Sequence, residues 1–112
     1  MPGGVSIHDY DVASGVPAVG LRVELRAPDG RMLLDKPTDE RGVLELAAVP
    51  SIGVYEAIFY IGEWYRARKV ALPEPAFLEC VPYRFGIADL AQHYHLPLKM
   101  TPWGFSLFRG GA

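Results

Sequence analysis

The sequence predicts an all-β fold, a two-sheet antiparallel β-sandwich of seven to eight strands with one short helix. Three observations carry this. Short runs alternate apolar and polar residues with the period of two that a half-buried strand requires. Ten prolines and twelve glycines are spread along the chain, as turn punctuation is, rather than gathered in a tail. The length of 112 residues suits a single domain over 1–112, since one core usually takes about 100–200 residues.

The elements follow in order. Gly4 to Asp11 alternates, with Val5 and Ile7 to one side and Ser6, His8 and Tyr10 to the other. Ala13 to Pro17 reads as a turn. Gly20 to Arg26 sets Leu21, Val23 and Leu25 against Arg22, Glu24 and Arg26, the pattern of a strand with one buried face. Pro28-Asp29-Gly30 is a turn in which proline fixes φ and glycine takes the positive-φ position. Arg31 to Asp35 begins a further strand, Thr38 to Gly42 a second turn, and Val43 to Leu46 the strand after it. Gly53 to Ile61 is the strongest β signal, rich in aromatic and branched residues. Gly62 to Ala71 is the one credible helix, amphipathic through Trp64, Tyr65, Ala67, Val70 and Ala71 and ended near Pro73. Phe77 to Phe85, Gln92 to Met100 and Trp103 to Arg109 are the closing strands.

Composition removes several classes of function. The net charge is −2, and the short Arg66–Lys69 stretch is too small for the basic patch that nucleic-acid binding needs. The lone Cys80 rules out an internal disulfide or a C-x-x-C metal site, and its strand-like neighbours suggest a small buried residue. Met1 to Val5 lack the basic and apolar regions of a signal peptide. No apolar stretch approaches the roughly 18 residues that span a bilayer. A cytoplasmic protein without membrane or nucleic-acid partners is expected.

Chemistry concentrates near the end of the chain. In Gln92 to Lys99 the strand period places His93, His95, Pro97 and Lys99 on one face, and Tyr94, Leu96, Leu98 and Met100 on the core face. His8 lies on the non-core face of the first strand. Histidines so placed are open to three readings: solvated surface residues, a zinc pair with His-x-His spacing, or acid–base groups that titrate near neutrality. Asp9 and Asp11 with Asp39 and Glu40 are candidate paired carboxylates, although the latter two sit in a turn. No phosphate cradle or G-x-S-x-G elbow is present.

Read together, the two ends are distinctive. Ser6-Ile7-His8, Asp11 and Ser14 to Ala18 resemble the opening of transthyretin-like proteins. His93-Tyr94-His95-Leu96-Pro97-Leu98, Thr101 to Ser106 and Phe108-Arg109-Gly110 resemble the closing pattern of the 5-hydroxyisourate hydrolase branch. Thr38-Asp39, Gly42 and Gly53-x-Tyr55 fall on the same frame. The resemblance implies a homotetramer, a dimer of dimers built on edge strands, with small-molecule sites between subunits. It implies a cyclic amide hydrolase that opens a urate-derived ring in purine degradation and uses no metal or organic cofactor. His8, His95 and Arg109 match the branch's catalytic positions. Val43, Phe108, Ser106 and His93 fall where substrate is bound. Three positions depart from the pattern: Val43 stands where the branch has arginine, Phe108 where it has tyrosine, and Gly111, followed by Ala112, where it has serine. Arg41 is the candidate to replace the missing guanidinium. A changed heterocyclic substrate and a non-catalytic carrier are the alternative functions, Val43 and Phe108 making the site more apolar.

Overall fold

The computed structural model describes residues 3–111. The expected absence of a leader at Met1–Val5 involves Met1 and Pro2, which lie outside the described residues, as does the extra Ala112. Strands β1 (Val5–Asp11), β2 (Val16–Pro17), β3 (Arg22–Arg26), β4 (Met32–Pro37), β5 (Val43–Leu46), β6 (Gly53–Phe59), β7 (Val81–Ile87), β8 (Tyr94–Thr101) and β9 (Gly104–Leu107) form two sheets, with helix α1 (Ile61–Ala67) after β6. In one sheet β1 lies between β8 and the pair β2 and β5, and β9 is the outer strand beyond β8. The other sheet runs β4-β3-β6-β7.

The periodicity holds where it was clearest. Val5, Ile7, Leu96, Leu98 and Met100 from one sheet meet Leu21, Val23, Leu25, Tyr55, Ala57 and Phe59 from the other, all fully or nearly fully buried. Burial of such side chains stabilises by about 1.5–3 kcal/mol each, so alternation sets which face of each strand turns inward. Gly42, at φ 77°, holds the turn into β5; a Cβ there would lie 2.5 Å from the Asp9 carbonyl oxygen, so the position requires glycine on both counts.

Several details differ from expectation, among them the strand number, nine among the described residues rather than seven to eight, since Val16–Pro17 at the end of the expected turn pairs with β1. The sandwich is not antiparallel throughout: β1 and β8 pair in parallel, from Val5↔Tyr94 to Asp11↔Met100. The helix covers Ile61–Ala67 and stops well before Pro73, because Lys69 adopts φ 66° and turns the chain; Trp64 and Tyr65 are buried, Val70 and Ala71 exposed. The strand expected from Phe77 begins at Val81. Cys80 therefore precedes it in irregular chain and is exposed, not buried.

Asp9 and Asp11 also behave unlike a surface acid pair. Both share the core face of β1 and are buried. Asp11 accepts hydrogen bonds from the Ser14 hydroxyl (2.5 Å) and the Tyr65 hydroxyl (2.5 Å), tying the β1–β2 turn to the helix. Neither oxygen of Asp9 has a hydrogen-bond partner among the described residues. Asp39 instead organises its own turn, accepting from the backbone N–H of Arg41 and Val43 at 2.9 Å each. Among the described residues no helix is long and apolar enough to cross a membrane.

Candidate active site

The outward face of the first sheet gathers most of the candidate residues in rows, because paired residues on adjacent strands share a face. Parallel pairing brings Ser6 beside His95, His8 beside Pro97 and Tyr10 beside Lys99. On the other edge of β1, Val43 lies opposite His8 and Glu45 opposite Ser6. On the far side of β8, Ser106 lies opposite Lys99, and an isolated bridge joins His95 to Gly110. That register, continued between Leu98↔Leu107 and His95↔Gly110, sets Phe108 across from Pro97. One row thus reads Val43, His8, Pro97, Phe108, and the next Glu45, Ser6, His95, Gly110.

His8 and His95 are half-buried. The His8 ring packs on Tyr10, with centroids 4.8 Å apart, and the Lys99 ammonium lies 5.8 Å from the centre of the same Tyr10 ring. Burial, then the charges of His8 and His93, hold the His95 imidazole below its ordinary pKa of 6.5. A base must be unprotonated at working pH, so the shift favours that role. Gly110 packs against this ring: its N–H donates to the His95 carbonyl at 2.8 Å, and a Cβ there would come within 3.2 Å of His95 Cδ2.

Other expected residues sit differently. His93 was expected on the substrate side, but both its ring nitrogens are engaged inside the chain, by the Gly3 carbonyl at 2.7 Å and the Ser6 hydroxyl at 2.7 Å. Arg109 does not join the histidine rings within one chain. Its guanidinium lies 4.0 Å over the Tyr94 ring, on the other side of β8, and donates to Gln92 Oε1 and the His93 carbonyl. The strand alternation that points Phe108 outward sends Arg109 the opposite way. Arg41 is at the turn tip with its side chain 72% exposed, 3.6 Å from the Asp39 carboxylate; among the described residues no hydrogen bond or ion pair ties its side chain to the row of His8. Sequence reasoning missed Ser6, which is 7% exposed and hydrogen-bonded to both His93 and His95. Its alternation with His8 was the available signal. Among the described residues no group of three or more His, Cys, Asp or Glu side chains is arranged to hold a metal ion.

The two-sheet sandwich, with a histidine cluster on the outward face of one sheet, has the transthyretin-type fold. The HIUase/Transthyretin family model matches residues 5–110, and the chain belongs to that family. The 5-hydroxyisourate hydrolase 2 of Rhizobium meliloti (strain 1021) is 44% identical to it over 115 residues, covering 96% of each. The solved 5-hydroxyisourate hydrolase of Klebsiella pneumoniae superposes with a TM-score of 0.84 at 27% identity, covering 97% of this chain and 99% of that one. A solved (S)-allantoin synthase superposes with a TM-score of 0.88 at 30% identity; it covers 99% of this chain, which spans 44% of that larger protein.

Proposed function

We propose that the protein is a 5-hydroxyisourate hydrolase. The carrying observation is the placement of His8 and His95 in adjacent rows of one outward sheet face, with His95 held below its ordinary pKa by burial and by its histidine neighbours. In the reaction His95 takes a proton from water, the resulting hydroxide adds to the ring carbonyl, and the carbon–nitrogen ring bond breaks as the nitrogen takes that proton from the His95 imidazolium, which restores the base. His8 faces the developing oxyanion as a donor, the kind of interaction that counts most when its geometry is preset. The names and coverage of the relatives support the substrate.

The test is the decay of freshly generated 5-hydroxyisourate with and without the protein across pH. Acceleration is expected, with kcat/KM rising to a plateau through a midpoint below the ordinary histidine value of 6.5, because the protonated ring cannot act as base. A midpoint above neutrality would exclude His95 as that base. Decay no faster than the spontaneous rate would overturn the substrate itself. It would favour another, less polar heterocycle, the reading suggested by Val43, Pro97 and Phe108 around His8.

We further propose a cytoplasmic homotetramer. β7 and β9 are the outer strands of their sheets and lie at the same side of the sandwich, where the Tyr83 hydroxyl reaches the Leu107 carbonyl at 3.4 Å. Unpaired edges of this kind are covered in stable proteins. Arg109, exposed on this side, would serve a site shared between copies. Light scattering in solution is expected to give the mass of four chains; a monomer would refute both the assembly and a shared role for Arg109.

A further inference from the structure

We infer that Ser6 and His93 are positioning residues: they fix His95 as the Nδ1–H tautomer and leave its Nε2 lone pair free for the water. For the neutral rings the assignment needs no observed hydrogen, because the chain of contacts starts at a group that can only accept. The Gly3 carbonyl lies 2.7 Å from His93 Nδ1, so this nitrogen carries the proton. A neutral imidazole has one N–H, so His93 Nε2 is an acceptor. The Ser6 hydroxyl, 2.7 Å away, gives it its single hydrogen. Ser6 Oγ then has only lone pairs to offer His95 Nδ1 at 2.6 Å, and that nitrogen must donate. His95 Nε2 is left unprotonated.

Two features keep the relay in this state. Ser6 is 7% exposed, so water competes poorly for its hydroxyl, and a buried hydroxyl left without its acceptor would be costly. Gly110 presents no side chain to the Cδ2 edge of His95, the ring edge next to Nε2; a Cβ there would approach within 3.2 Å. Parallel pairing of β1 with β8 is what makes the relay possible, since it sets Ser6 directly beside His95.

The inference deepens the hydrolase reading, but its first test does not depend on substrate. Long-range ¹H–¹⁵N spectra of the full chain at about pH 8, where histidines are mostly neutral, report which nitrogen of each ring carries the proton. His95 resonances are assigned by their loss in His95→Ala. The expected pattern is a protonated Nδ1 and a bare Nε2 at His95; the reverse would overturn the inference, whatever the activity. In the kinetic arm, Ser6→Ala is expected to lower kcat about 10- to 100-fold, the usual weight of partners that orient a functional histidine, with KM changed less than about threefold. Ser6→Thr, which keeps the hydroxyl, is expected to restore most of kcat. Ser6→Ala with unaltered kcat and an unaltered His95 tautomer would also overturn the inference. The wild-type spectrum decides if that variant fails to fold. A wild-type protein that shows the expected tautomer but no hydrolysis would refute the substrate and leave the relay standing.

Discussion

His95→Ala is expected to lower kcat/KM for 5-hydroxyisourate about 10²- to 10⁴-fold, the range carried by a positioned general base. The ring is half-buried on β8 and held below its ordinary pKa by burial and by the charges of His8 and His93. It is thus mostly unprotonated at neutral pH. The loss should fall on kcat with little change in KM, since proton abstraction is needed only in the transition state. His8→Ala is expected to cost about 10²- to 10³-fold, as removal of one oxyanion donor does. Groups acting in a single step are not additive, so the double variant should resemble the worse single variant rather than their product. Folding should survive, because His95 contributes one ring hydrogen bond, to Ser6, worth about 1 kcal/mol. Steady-state kinetics with a thermal melt of each variant checks this. A folded His95→Ala protein within about threefold of wild type would remove His95 from the mechanism.

Much of the candidate site's placement is legible in the sequence because it lies on strands. A period of two sorts Tyr94, Leu96, Leu98 and Met100 from His93, His95, Pro97 and Lys99 without any knowledge of the sheet, and the burial of these residues follows that sorting. What periodicity cannot supply is the partner strand. The parallel pairing of β1 and β8 joins residues nearly ninety positions apart, as Ser6 to His95, and nothing local encodes it. Alternation therefore places Ser6 on a face and does not place it in a site. Arg109 shows what a motif match leaves open. A motif match carries over the residue type, but the side chain's direction depends on strand phase, and that phase sets it over Tyr94. Cys80 looked like a core residue by composition, whereas the strand begins one residue later. Lys69 ended the helix through a left-handed conformation that a non-glycine residue rarely announces.

The largest effect on stability is expected at Asp9, where residue type and strand phase conflict. Alternation along β1 directs Val5, Ile7, Asp9 and Asp11 inward together. Asp11 is satisfied by Ser14 and Tyr65, whereas Asp9, 0% exposed, has no hydrogen-bond partner among the described residues for either oxygen. Burial alone holds its pKa well above the unfolded value near 3.8. The folded state therefore keeps a proton that the unfolded chain releases, and stability falls as pH rises from about 3.8 until the folded pKa is passed. Above that point the carboxylate is charged in both states and the full penalty remains. Asp9→Val removes both the charge and the unpaired polar group while fitting a strand, and is expected to stabilise by about 1–3 kcal/mol, or roughly 4–8 °C in Tm per kcal/mol. Asp9→Asn removes only the ionisation, so its advantage should vanish at low pH, where wild-type Asp9 is already protonated in the fold. Hydrolysis should be unaffected in Asp9→Val, since the side chain faces away from His8 and His95. Thermal melts of the three proteins from acid to neutral pH separate the two contributions. A wild-type Tm that rises over this range relative to Asp9→Val would mean that the buried carboxylate is compensated, and would reverse the sign of the argument.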